Sequence, residues 1–141
     1  KFSNSDEKME VWVKKYLKTQ FEIDVSGMQI KDGSGLSSFN AVSSKQLVQL
    51  LVKMKDNQVF RKSIPVAGKS GTVRSFLKNS TLNGNVRCKS GSMTGVRSYA
   101  GYINNNSGKK LAFSVIVNNA EGLDSEVKTK IEELMNHIGA L

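Results

Sequence analysis

Two runs with a two-residue period, Val96 to Asn104 and Lys110 to Asn118, flank the tetrapeptide Asn105-Asn106-Ser107-Gly108. Alternating apolar and polar residues on either side of an Asn/Gly-rich turn make a β-hairpin. A third extended stretch, Val86 to Ser90, is separated from Val96 by only a short turn. Connections this short leave no room for a crossover, so the three strands are antiparallel neighbours. Asp124 then caps a helix that carries Val127, Ile131, Leu134, Met135 and Ile138 on one side. The order strand, turn, strand, hairpin, strand, helix predicts an α/β (α+β) chain. Its antiparallel sheet is covered by helices, with the last helix over one face in a two-layer arrangement.

The first half is less regular. Ser5 followed by Asp6-Glu7 opens a helix. Met9, Trp12, Val13, Tyr16 and Leu17 give it one apolar stripe, and it runs from about Ser5 to Thr19. Met28 to Lys31 reads as a short strand, stopped by the turn cluster Asp32-Gly33-Ser34-Gly35. Ser43 or Ser44 caps a second helix with Leu47, Val48, Leu51 and Met54 on one side, ending near Asn57. Residues 58–85 read mostly as loop, with Thr72 to Lys78 as a short helical piece. No repeat or low-complexity linker divides the 141 residues, which are read as a single domain, 1–141.

Composition removes several function classes. A single cysteine, Cys88, excludes an internal disulfide and a multi-cysteine zinc site, and a single histidine, His137, excludes sites that need two imidazoles. No apolar run approaches the roughly 20 residues of a membrane-spanning helix, so no transmembrane segment is expected. The net charge of +9 favours anionic partners. It is spread from Lys1 to Lys130 without an Arg-rich helix or a patterned aromatic platform, so no nucleic-acid partner is expected. The chain opens Lys1-Phe2-Ser3-Asn4 without an initiator Met or a signal-like stretch, as a mature protein or a piece of a longer one would.

The chemistry-bearing stretch is Arg87-Cys88-Lys89-Ser90-Gly91-Ser92-Met93-Thr94-Gly95-Val96. Alternation along a strand puts Arg87 and Lys89 on one face, Cys88 and Ser90 on the other. Beside a cleft, Lys89 supplies a fixed positive charge, and Ser90 and Ser92 supply hydroxyls. Gly91 permits close approach to the backbone, and the Ser92 amide can point outward. Such a strand holds a carboxylate-bearing peptide and stabilises an oxyanion. Lys-Ser-Gly alone is a weak signal, since Lys69-Ser70-Gly71 repeats it within a stretch that reads as loop.

Lys-[Ser/Thr]-Gly is the third motif of penicillin-binding proteins and serine β-lactamases, and here the match is longer. Asp32-Gly33-Ser34-Gly35-Leu36-Ser37, Pro65-Val66-Ala67-Gly68, Gly71-Thr72-Val73, Lys89-Ser90-Gly91-Ser92, Gly95-Val96 and Ala100-Gly101-Tyr102-Ile103 occur in order. Together with Phe113 to Asn119 and the final helix, they resemble the C-terminal portion of the class C, low-molecular-mass D-alanyl-D-alanine carboxypeptidases. The resemblance implies a transpeptidase-like fold and a serine-type carboxypeptidase or endopeptidase that acts on peptidoglycan stem peptides through an acyl-enzyme. It also implies inhibition by β-lactams, no metal or organic cofactor, and a periplasmic or other extracytoplasmic location. Lys89 and Ser90 would serve catalysis by binding the substrate's terminal carboxylate. Gly91 and Ser92 would bind substrate, the Ser92 amide forming half of the oxyanion hole.

Two features depart from the family pattern. Lys1-Phe2-Ser3-Asn4-Ser5 resembles a clipped second motif, in which Ser-Asn-Asn opens a helix. Ser3 would then be catalytic, but Ser5 stands where the asparagine belongs. Either residues are absent between Asn4 and Ser5, or the match at Ser3 is a coincidence. The Ser-x-x-Lys nucleophile motif lies upstream of the second motif in the family. The matches here (Ser5 to Lys8, Ser75 to Lys78, Ser107 to Lys110) read as a helix cap, a segment in the wrong order and a hairpin turn. The resemblance therefore implies that the attacking serine sits on an upstream segment not in this chain, with the missing N-terminal half of the domain as partner. A non-catalytic cell-wall peptide-binding module that lacks the nucleophile is the alternative reading. Asp32 and Ser34 are expected to fix a turn, Cys88 to be a buried thiol, and His137 a surface residue near the helix C-terminus.

Overall fold

The computed structural model describes residues 9–122 and 124–141. The predicted strands are present: β1 (Val86–Met93), β2 (Val96–Asn104) and β3 (Lys110–Val117) form an antiparallel sheet in the order β1-β2-β3. Cross-strand partners run from Val86 opposite Ile103 to Met93 opposite Val96, then from Arg97 opposite Val117 to Asn104 opposite Lys110. The hairpin closes as its sequence dictates. The Asn105 side chain accepts from the Lys109 amide at 2.7 Å, and Gly108 takes a left-handed φ of 77° that a Cβ would strain.

The described residues form four helices: α1 (Met9–Phe21), α2 (Ser44–Lys53), α3 (Gln58–Ser63) and α4 (Asp124–Ala140). Ser43 is the cap of α2. Its hydroxyl accepts from the Gln46 amide at 3.2 Å while the Gln46 side chain accepts from the Ser43 amide at 2.9 Å. The expected loop over 58–85 instead contains α3, capped by the Asn57 side chain, and a 3₁₀ turn at Gly71–Val73. With six residues and no apolar stripe, α3 leaves no periodic signal. The strand expected over 28–31 is reduced to a single bridge, Gln29 to Ala41.

Helices cover both faces of the sheet, where two layers were expected. On one face, Ile131 and Met135 of α4 join Val73, Phe76, Leu77 and Leu82 in a core over Val86, Cys88, Tyr99, Ile103 and Phe113. On the other, Leu51 of α2, Phe60 of α3 and Ile64 cover Ala100, Tyr102 and Ala112. The cause lies in β2 and β3: Tyr99 to Ile103 and Leu111 to Phe113 are runs rather than strict alternations, and such strands are buried on both sides. Leu134 departs from its expected place on the buried face of α4, being 46% exposed. Asp124 is the first residue of α4, and its carboxylate forms an ion pair with Arg97.

Candidate active site

The Lys89–Ser92 motif spans the fourth to the seventh residue of β1. Hydrogen bonding fixes how this strand presents itself. The Cys88 amide donates to the Pro65 carbonyl at 3.1 Å, and the Val86 carbonyl accepts from the Ala67 amide at 2.8 Å. The even-numbered residues therefore turn their backbone groups away from β2, and by strand alternation so do Ser90 and Ser92. Pro65–Ala67 covers this outer edge only as far as Cys88. From Ser90 onward the outward amide and carbonyl groups have no backbone partner among the described residues.

Lys89 shares a sheet face with Ala100, but its flexible stem carries the ammonium round to the open edge, where Nζ donates to the Ser90 carbonyl at 2.6 Å. The side chain is exposed and has no carboxylate partner among the described residues. On the opposite face, the Ser90 hydroxyl lies 2.8 Å from Thr72 Oγ1, on the 3₁₀ turn. The contact of Thr72 with Ser90 spans 18 residues, and no local pattern announces it. Directly below, Cys88 is fully buried and burial pushes its thiol up to about 12, which leaves it protonated and inert.

The close approach at Gly91 comes from within the sheet. A Cβ there would meet the hydroxyl of Ser98, its cross-strand partner, at 2.5 Å. At the end of β1 a hollow of about 260 Å³ is lined by Ser92, Met93, Thr94, Gly95, Arg97 and Asp124. Ser92 borders it and Lys89 does not, so the four motif residues are contiguous along one edge without sharing one cavity. Ser3, Asn4 and Ser5 lie outside the described residues.

The remaining candidates have structural duties. The Asp32 carboxylate accepts from Ser34 Oγ and Asn40 Nδ2, each at 2.6 Å, and from the amides of Gly35, Leu36 and Ser37. These donors, the Ser34 hydroxyl first, lower its pKa to about 2. Ser75 meets Lys128, and Ser107 Oγ donates to the Leu141 carbonyl at 3.2 Å; neither lies beside Lys89 in the sheet. Lys69-Ser70-Gly71 forms a turn in which Ser70 Oγ accepts from the Val66 amide. His137 is exposed, with Nδ1 2.8 Å from the Glu133 carbonyl.

Comparison with known proteins gives a consistent result. The model of the D-Ala-D-Ala carboxypeptidase 3 (S13) family matches residues 2–140. A D-alanyl-D-alanine carboxypeptidase, DacB, of Haemophilus influenzae is 38% identical over 106 residues, covering 72% of this chain and 22% of the relative. A D-alanyl-D-alanine carboxypeptidase of an Actinomadura species is 35% identical over 108 residues, covering 71% of this chain and 20% of its own length. The chain thus spans about a fifth of these relatives. Among solved structures, Haemophilus influenzae penicillin binding protein 4 in complex with a β-lactam superposes with a TM-score of 0.84 at 30% identity. That match covers 94% of this chain and 33% of the other.

Proposed function

Since the chain belongs to the D-Ala-D-Ala carboxypeptidase 3 (S13) family, we propose that it supplies the substrate-holding edge of a serine-type D-alanyl-D-alanine carboxypeptidase or endopeptidase acting on peptidoglycan peptides. One observation carries this reading: the bare outer edge of β1 from Ser90 to Ser92, with the Lys89 ammonium lying against it. An extended peptide aligns there as an added strand, using the outward amides and carbonyls. Lys89, with the Ser90 hydroxyl held by Thr72, receives the terminal carboxylate. The outward Ser92 amide gives one of the two donors of the oxyanion hole, a donor typically worth about 2.7–4 kcal/mol of transition-state stabilisation.

The attacking serine comes from a segment this chain does not span, and the coverage of a fifth of its relatives supports that assignment. The same missing part closes the cleft beside Lys89, which is exposed here. Serine Oγ bonds to the scissile carbonyl carbon, and the departing D-alanine nitrogen leaves with the proton taken from the hydroxyl. Water then cleaves the ester and regenerates the serine. Ser3 is assigned to the second motif, which would guide that proton. These steps need no metal or organic cofactor. β-Lactams, which enter as mimics of the peptide, are inhibitors; the solved β-lactam complex of a 30% identical relative supports this. Peptidoglycan as substrate places the protein in the periplasm or another extracytoplasmic space; no described helix is long and apolar enough to cross a membrane.

Labelling with fluorescent penicillin, followed by intact mass, tests the reading. A form that includes the upstream segment gains one adduct on a serine outside these 141 residues. Lys89→Gln then slows labelling roughly 10- to 100-fold, the loss of one hydrogen bond to a charged group. An adduct on Ser75 or Ser107 would overturn the assignment of the nucleophile. Saturable peptide binding without any adduct in the longer form would favour a non-catalytic binding module.

A further inference from the structure

A second recess lies on the same sheet face as Lys89 but at the opposite margin. It encloses about 250 Å³ where the end of α2, α3 and the start of β3 meet. Lys110, on β3, pairs with Asn104 of β2, whereas Lys89, on β1, pairs with Ala100 of β2. The two ammonium-bearing positions are thus separated by about 13 Å along the strands and about 10 Å across them.

The rim carries Lys55, Arg61 and Lys110 against one carboxylate, Asp56. Six cations elsewhere among the described residues have a carboxylate partner: Lys14 and Lys31 with Glu10, Lys53 with Glu22, Arg97 with Asp124, Lys128 with Glu132 and Lys130 with Glu133. None of the three rim cations has a carboxylate within ion-pair distance among the described residues. Arg61 is also held in place. Its guanidinium lies 5.4 Å from the centre of the Tyr102 ring and donates to the Lys55 carbonyl at 3.5 Å. Tyr102 is fixed in turn, because its buried hydroxyl donates to the Leu51 carbonyl at 2.6 Å. Val52, Tyr102 and Ala112 give the recess its apolar lining.

These features select a ligand. A fixed guanidinium flanked by two ammonium groups receives a carboxylate or phosphate. The lone Asp56 disfavours a compact multiply charged anion and offers a place for an ammonium. The small apolar part of the lining suits a short carbon skeleton, and the volume is below the roughly 300 Å³ at which drug-sized pockets begin. We propose that this recess is an accessory site for an amino-acid or short-peptide end bearing both a free carboxylate and an ammonium group. It stands apart from the edge at Lys89 and does not depend on the role given to that residue.

Residue-resolved NMR titration of the 141-residue chain with the dipeptide D-alanyl-D-alanine tests the site. The amides of Lys55, Arg61, Tyr102 and Ala112 shift saturably, and the dipeptide's C-terminal amide binds at least tenfold more weakly. Arg61→Gln weakens the dipeptide at least tenfold, and so does Lys110→Gln, an exposed change that leaves the Tyr102 packing intact. Shifts at residues 89–92 are scored separately, so failure at β1 and failure at this recess are distinguishable. Equal shifts from sodium chloride at matched ionic strength would overturn the proposal. So would inorganic phosphate binding as tightly as the dipeptide, or affinity that survives both substitutions.

Discussion

Two stacked aromatic pairs mark the difference between the halves of this molecule. Phe76 and Tyr99 lie 3.9 Å apart, and both are almost wholly withdrawn from water. Trp12 and Tyr16 also stack, at 5.3 Å, yet Tyr16 remains 43% exposed and α1 has no buried residue. The half that carries β1 is consolidated by a contiguous apolar core. The half that carries α1 withdraws fewer apolar residues, Ile23 and Met28 among them, and adds polar contacts. Glu10 pairs with Lys14 at 2.8 Å and Lys31 at 3.5 Å, Glu22 pairs with Lys53, and Asp32 gathers its own loop. The motif strand thus sits on the half with the contiguous buried core.

Substitutions sharpen this contrast. Phe76→Ala should cost about 3–5 kcal/mol in urea unfolding, since it leaves a cavity in a closed core. Gly101→Ala should cost about 1–3 kcal/mol, because its Cβ would collide with the Arg87 carbonyl across the ladder. Gln46→Ala cuts the joint between the halves. Its side chain donates to the Asp24 and Ser26 carbonyls at 2.8 and 3.1 Å and completes the α2 cap. A loss of about 1–3 kcal/mol is expected there. Tyr16→Ala should change stability by less than about 0.5 kcal/mol; a loss as large as that of Phe76→Ala would erase the distinction.

The last test is acid. Asp32 has its folded-state pKa lowered to about 2 from 3.8, so its contribution is complete above about pH 4 and is lost as pH falls through about 2. Amide shifts of Leu36 and Ser37 should follow that low midpoint while Tyr99 and Ile103 stay unchanged. A midpoint near 4 would show that the loop's donors do not hold the carboxylate.

The hairpin, β1 and α4 were legible because their signals are local: two-residue alternation, a Gly-containing turn, a helical stripe. Lys89 to Ser92 were legible as a linear string. The contact of Thr72 with Ser90 was not, since it is made by folding a loop against a strand 18 residues away. The second helical layer was hidden for a related reason. Apolar runs in β2 say that both faces are covered, but not that α2, far upstream, does the covering. Leu134 and Met135 show the limit of reading a stripe: adjacent residues point about 100° apart on a helix, and only Met135 reaches the core.

The uncovered margin of β1 also bears on how copies of this chain meet. An unpaired strand edge is a template for another copy of itself, and proteins commonly blunt such edges with lysine. Two copies joining antiparallel at Ser90–Ser92 would bring one Lys89 ammonium toward the other, on chains that each already carry a net charge of +9. A guest ending in a carboxylate meets the opposite sign. In the role proposed for it, that one side chain would admit a foreign extended peptide and turn away a sister molecule.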